Sequence, residues 1–324
     1  MIRANKFLLL LTLVAAGAAA QDKPDETLSA VVGVSAKIQG NARSAETLGL
    51  QRRGTGALVR EGYVLTIGYL VIEAEAVQVT GADGRTLPAT VAGYDHASGF
   101  ALLKLIGSFS AKPLPLGDSG ALAEREPAMA VSAAARDSPT LVYVVSRRAF
   151  TGNWEYLLDS AIFTYPPFME WSGAPLIGAK GELLGIGSLI VPDAGAPGTQ
   201  SPGNMFVPID LLKPILEDLI AKGRRNGPAR PWLGINTDEL RGRLFVARVS
   251  PDGPAARAGI KGGDIVLAVG ADEVTTLAEF YRKVWGLGAA GTAVRLKLLQ
   301  GTRVTDVTVR SIDRLEYFRP SKTY

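Results

Sequence analysis

A mainly β protein of two unequal domains is what the sequence predicts, and three observations carry that reading. From about residue 29 to 208, short aliphatic and β-branched runs alternate with Gly, Asp and Pro turns recurring roughly every 8–12 residues, the rhythm of a β-barrel or sandwich. Between residues 210 and 222 the period changes. Leu211, Leu212, Ile215, Leu216, Leu219 and Ile220 repeat at helical spacing, with Asp210 as N-cap and Gly223 as stop. The polar, Gly- and Pro-punctuated stretch that follows, GRRNGPARP, marks a boundary, and a smaller mixed unit lies beyond it.

Each element follows from local pattern. Strands are expected at residues 30–38, 56–59, 63–67, 76–80, 86–94, 100–105, 128–132, 141–150, 181–190 and 205–208, separated by turns such as Ala82-Asp83-Gly84 and Ala179-Lys180-Gly181. The smaller unit is expected to hold strands at 244–250, 265–269, 293–299 and 303–311, with helices at 254–258 and 277–285.

Residues 1–20 read as a secretory signal peptide. Arg3 and Lys6 precede a ten-residue apolar run from Phe7 to Ala16, and Ala18-Ala19-Ala20 offers a cleavage site before Gln21. The run is too short for a comfortable bilayer span of about 20 residues, so no stable membrane span is expected once the signal is removed. A periplasmic location fits an exported chain that folds without disulfides.

Composition excludes several chemistries. The 324 residues contain no cysteine and one histidine, His96, which rules out thiol nucleophiles, zinc–thiolate sites and multi-histidine metal cages. No metal and no cofactor is expected. The net charge of +4 is mild and without long like-charge runs, so nucleic acid is not an expected partner.

Several segments resemble the HtrA (Deg) family of secreted trypsin-like serine proteases with C-terminal PDZ domains. Gly54-Thr55-Gly56-Ala57-Leu58 is similar to the family's G-S-G-F-I, and Gly62-Tyr63-Val64-Leu65-Thr66 to its G-Y-I-L-T. Phe100-Ala101-Leu102-Leu103-Lys104 resembles L-A-V-L-K. Ser172-Gly173-Ala174-Pro175-Leu176, then Lys180-Gly181-Glu182-Leu183-Leu184-Gly185-Ile186, resembles S-G-G-P-L followed by x-G-x-V-I-G-I. The resemblance implies a trypsin-like double β-barrel over residues 28–222, a linker at 223–230, a PDZ domain at 231–313 and a tail at 314–324.

The family's chemistry needs a histidine base, an orienting aspartate and a serine nucleophile. Carried over by position, the base falls on Tyr69, the aspartate on Gly99 and the nucleophile on Ser172. A phenol of pKa near 10 is about 0.1% ionised at pH 7, and glycine orients nothing. The family's N-P-G-N lead into the serine is replaced, with Glu170-Trp171 before Ser172 and extra sequence from Phe163 to Met169. A carboxylate at Glu170 would oppose an oxyanion. His96 is expected to be an exposed loop residue rather than a relocated base, and Ser172 a small residue suited to the tight turn before Gly173. Tyr165, Phe168 and Trp171 either cap the cleft, line a peptide groove or pack an extended loop.

Trp232-Leu233-Gly234-Ile235 resembles the carboxylate-binding loop of PDZ domains. The run from Val249 to Val266, containing Pro254-Ala255-Ala256-Arg257-Ala258-Gly259, resembles the family's V-x-P-G-S-P-A-x-x-A-G-L-x-x-G-D-x-I. The resemblance implies that the amides of Leu233, Gly234 and Ile235 hold a peptide carboxylate, with Trp232 beside them and Phe280 or Val284 in the side-chain pocket. Expected partners are polypeptide C-termini or unfolded protein, an active HtrA relative, and further copies in a homotrimer. The expected function is that of a catalytically inactive, peptide-binding or regulatory protein. A serine endopeptidase with a non-standard site around Ser172 is the alternative.

Overall fold

The computed structural model describes residues 23–318; the expected signal segment and the last residues of the tail lie outside them. A short helix α1 (Lys23–Ser29) leads into a closed antiparallel barrel. Its strands are β1 (Val31–Ile38), β2 (Gln51–Arg60), β3 (Tyr63–Ile67), β4 (Ala74–Thr80), β5 (Thr86–Asp95) and β6 (Phe100–Leu105), closed in the order β1-β2-β3-β6-β5-β4. Helix α2 (Ala45–Leu48) lies between β1 and β2.

A second closed barrel repeats the plan with β7 (Pro127–Ala130), β8 (Thr140–Gly152), β9 (Tyr156–Tyr165), β10 (Pro175–Ile177), β11 (Leu183–Val191) and β12 (Gly203–Pro208), in the order β10-β11-β12-β9-β8-β7. Closure removes the exposed edges that an open sheet of this size would present. One apolar cluster fills the first barrel and continues into the seam, where Phe163, Ile186 and Val207 join Phe100, Leu102 and Ile67. Phe206, Leu176 and Val142 fill the interior of the second. Truncating any one of the fully buried Phe100, Phe163 or Phe206 to Ala would cost about 3–5 kcal/mol.

Strand β9 corrects one expectation. Phe163-Thr164-Tyr165 belongs to it rather than to inserted loop sequence, and the segment escapes a period-2 reading because it is buried on both faces along most of its length. Phe168 lies in the core of the second barrel, Tyr165 is exposed, and Trp171 packs partly buried beside that core.

The expected helix over 210–222 is also shorter. A single turn at Ile209–Leu211 is followed by α3 (Leu216–Lys222), whose N-cap is Ile215 rather than Asp210. Pro214 explains the break, since it disfavours helical backbone at Lys213 and cannot donate into a helix that continues through it. Gly223 ends α3 in left-handed conformation, its N–H donating to Leu219 O at 3.1 Å.

The last unit is a sheet of β13 (Ile235–Leu240), β14 (Arg243–Val249), β15 (Ile265–Val269), β17 (Ala293–Gln300) and β18 (Arg303–Arg310), with the two-residue β16 (Asp272–Glu273) on β15. Helix α4 (Pro254–Arg257) opens on Pro254, where a missing N–H costs nothing. Helix α5 (Leu277–Gly286) starts with a capping box between Thr276 and Glu279 and buries Leu277, Phe280, Tyr281 and Val284 along one face. Helix α6 (Arg314–Tyr317) returns across both units, with Tyr317 against Trp232 and under the Arg43 guanidinium. Among the described residues no helix is long and apolar enough to cross a membrane.

Candidate active-site cleft and carboxylate loop

Tyr69, Gly99 and Ser172 are brought together on the wall of one cavity of about 780 Å³ between the barrels and the last domain. Tyr69 sits on a single helical turn after β3, held by Arg52, whose guanidinium donates to Tyr69 O at 2.7 Å and Ile72 O at 3.1 Å. The Tyr69 hydroxyl donates to Ser188 O at 2.8 Å. Burial pushes this phenol up to about 12, partly offset by the polar groups of Ser172 and Trp171 beside it.

Ser172 lies on the turn between β9 and β10. Its carbonyl accepts from Thr55 N–H at 2.8 Å, which locks the turn to the first barrel. Its hydroxyl is buried with no hydrogen-bond partner. Gly99 closes the turn between β5 and β6 with φ +81°, its N–H donating to Asp95 O at 2.7 Å. No carboxylate occupies that position. Glu170 is exposed, so water screens its charge and weakens the expected opposition to an oxyanion.

The nearby carboxylate is spent elsewhere. Asp95 accepts from Arg225 at 2.6 and 2.8 Å and from Ser98 N–H and Oγ at 2.9 and 2.6 Å. Burial disfavours its charge, but the Arg225 fork and Ser98 donors more than offset that and hold the carboxyl below its usual range. Arg225 belongs to the linker, and its neighbour Arg224 pairs with Asp313 at 2.8 Å. The linker is therefore fastened to both units.

His96 is not the exposed loop residue expected. Both ring nitrogens are buried without hydrogen-bond partners, and the ring packs against Tyr94 at 4.3 Å and Phe318 at 6.1 Å. The tail supplies Phe318, so the sequence around His96 carries no sign of this burial. Desolvation, reinforced by the charges of Arg314 and Arg224, drives its pKa well below 6.5. The unfolded chain therefore takes up a proton as pH falls through 6.5 and the native state does not, so stability falls. With a single histidine, the drop between pH 7.5 and pH 5 is bounded at about 2 kcal/mol, the value for a native imidazole that takes up no proton over that range. Glu155, whose carboxyl burial pushes up, works in the opposite sense, so the comparison is with His96→Phe. Denaturant midpoints of wild type and His96→Phe should diverge on acidification, and parallel curves would refute the assignment.

The carboxylate loop holds a residue that the sequence reading missed. Glu155, in the β8–β9 connection with φ +59°, is buried and accepts from Leu233 N–H at 3.0 Å, Gly234 N–H at 2.7 Å and Ile235 N–H at 3.0 Å. Desolvation raises its pKa, partly offset by these amides and by the charge of Arg314. Phe280 and Val284 are fully buried in an apolar cluster that also takes in Leu157 from β9. Trp232 contributes its indole to the Tyr317 contact and lines the cavity. A lone Glu immediately before a strand has no local signature of such a role, because its partners lie about 80 residues away.

Residues 54–186 match the trypsin-like peptidase domain and residues 231–310 the PDZ domain. A putative serine protease, HhoA, of Synechocystis sp. is 29% identical over 290 residues, covering 80% of this chain and 70% of that protein. A probable periplasmic serine endoprotease, DegP-like, of Halomonas elongata is 31% identical over 284 residues, covering 79% of this chain but only 55% of its own length. Among solved structures, the serine endoprotease from Yersinia pestis superposes with a TM-score of 0.53 at 25% identity, covering 90% of this chain and 97% of the other.

Proposed function

Because the chain belongs to the HtrA/Deg family, in which a trypsin-like domain carries a PDZ domain, we propose that it is an exported member that holds polypeptides without cutting them. In this reading residues 1–20 direct it to the periplasm, residues 28–222 form a protease fold with a degenerate triad, and residues 231–313 bind polypeptide. Its place is in envelope protein quality control, as a peptide-binding or regulatory protein, a homotrimer or the modulator of an active relative.

The observation that carries the proposal is the Ser172 hydroxyl, buried without a hydrogen-bond partner. Serine attacks a carbonyl only when a neighbouring base removes its proton. The Tyr69 hydroxyl is committed to Ser188 O, and with a pKa of about 12 only about one phenol in 10⁵ is ionised at pH 7. Gly99 supplies no orienting group, and Asp95 is committed to Arg225.

One observation favours a serine endopeptidase with a non-standard site, namely that His96 lines the same cavity as Ser172. Its nitrogens, however, reach no hydroxyl, and its depressed pKa makes it a weak base. Missing triad members typically remove several orders of magnitude in rate. Purified protein is expected to leave unfolded casein intact above a background insensitive to Ser172→Ala, and to resist serine-directed fluorophosphonate labelling. Turnover lost in Ser172→Ala would overturn the proposal, and its further loss in His96→Ala would identify the base.

A further inference from the structure

We infer that the resident ligand of this PDZ carboxylate loop is the chain's own Glu155, presented in cis by the β8–β9 hairpin. The inference rests on reading residues 231–313 as a carboxylate-binding module, and it names what fills that module's groove.

Three features of the hairpin reproduce what an extended C-terminal peptide offers. The first is the carboxylate, held by three successive amides at 2.7 to 3.3 Å. The second is contact along β13, whose other edge is taken by β14: a backbone bond from Thr237 N–H to Asn153 O at 2.9 Å, reinforced by a side-chain bond from Asn153 Nδ2 to Asp238 Oδ1 at 2.9 Å. The third is an apolar side chain in the pocket, where Leu157 joins Leu233, Ile235, Phe280, Tyr281 and Val284.

Flanking contacts close the arrangement. The Tyr281 hydroxyl donates to Gly152 O at 2.8 Å and accepts from Glu155 N–H at 3.2 Å, and Arg282 pairs with Asp159 at 2.6 Å. Glu155 makes no ion pair among the described residues, so the amide dipoles of the loop, aided by the charge of Arg314, compensate its buried charge.

An external C-terminus must therefore displace a tethered competitor. Affinity falls in proportion to the fraction of molecules whose loop is open, and a hairpin on the same chain competes at an effective concentration that free peptide rarely reaches.

The test uses the full chain as wild type, Glu155→Ala and the shape-conserving Glu155→Gln. The peptide is a labelled decapeptide ending in Ala-Val with a free carboxylate, and its amidated twin, read by fluorescence anisotropy. Hydrogen exchange is followed at Leu233, Gly234 and Ile235, with Val294–Leu298 of β17 as the internal reference. Loop amides are expected to exchange at least tenfold faster in Glu155→Ala while β17 is unchanged, with Glu155→Gln intermediate. The free-acid peptide should bind Glu155→Ala at least tenfold more tightly than wild type, and the amidated peptide should gain nothing. Loop exchange that is unchanged in both variants overturns the inference whatever the peptide does. Faster loop exchange with no peptide bound by any variant upholds the self-ligand, and instead defeats the reading of the domain as a receptor for external C-termini.

Discussion

Gly173→Ala is expected to cost at least about 4 kcal/mol and to unfold the protease-like domain at ordinary temperatures, a large fraction of the total stability of a domain. The residue follows Ser172 with φ +74°, and a Cβ there would sit 2.0 Å from Thr55 O and 2.5 Å from Thr66 Oγ1. Neither can retreat. Thr55 N–H is bonded to Ser172 O, and the Thr66 hydroxyl donates to Thr55 O at 2.7 Å, so relief would separate the two barrels at their seam. Gly198→Ala is the control. It shares φ +74° but meets nothing within 4 Å, so it carries only the left-handed strain of about 1–2 kcal/mol. Equal melting temperatures for the two variants would show that the Ser172 turn is not clamped as described.

Asp95→Ala is expected to cost about 3 kcal/mol. Breaking a buried ion pair typically costs about 3–5 kcal/mol, and the lower end applies because Arg225 is half-exposed and can rehydrate. The variant loses both Arg225 bonds and leaves Ser98 N–H without its acceptor. The sign with pH follows from the depressed native pKa. The contribution is present above the unfolded value of about 3.9 and is lost as pH falls through the native one. Chemical denaturation at pH 7 should therefore separate Asp95→Ala from wild type, and the gap should close on strong acidification. A difference below about 1 kcal/mol at pH 7 would mean that the linker is not fastened through Asp95.

Much of the architecture was legible in sequence because it is written in local periods. The strands at Tyr63–Ile67, Phe100–Leu105 and Ile265–Val269 coincide with their expected limits, and the stop at Gly223 follows from the one residue type that takes left-handed backbone without penalty. Where two local signals conflicted, the stronger steric one won: apolar spacing extended a helix back to Asp210, and Pro214 cut it to Leu216–Lys222. Where burial erased the alternation, as along β9, no local signal remained to read.

The candidate site divides in the same way. Sequence alone determined which side chains are available: one histidine, no cysteine, a tyrosine and a glycine at two positions where the resemblance calls for a base and a carboxylate, and a serine before Gly173. Only tertiary structure decided what surrounds them. The Tyr69 hydroxyl meets a carbonyl 119 residues away, Asp95 meets an arginine 130 residues away, His96 is covered by the tail, and Glu155 reaches amides nearly 80 residues further along the chain. Each depends on desolvation and on hydrogen bonds between distant segments. Those quantities exist only after the barrels close and the last domain docks, and so have no counterpart in the local order of residues.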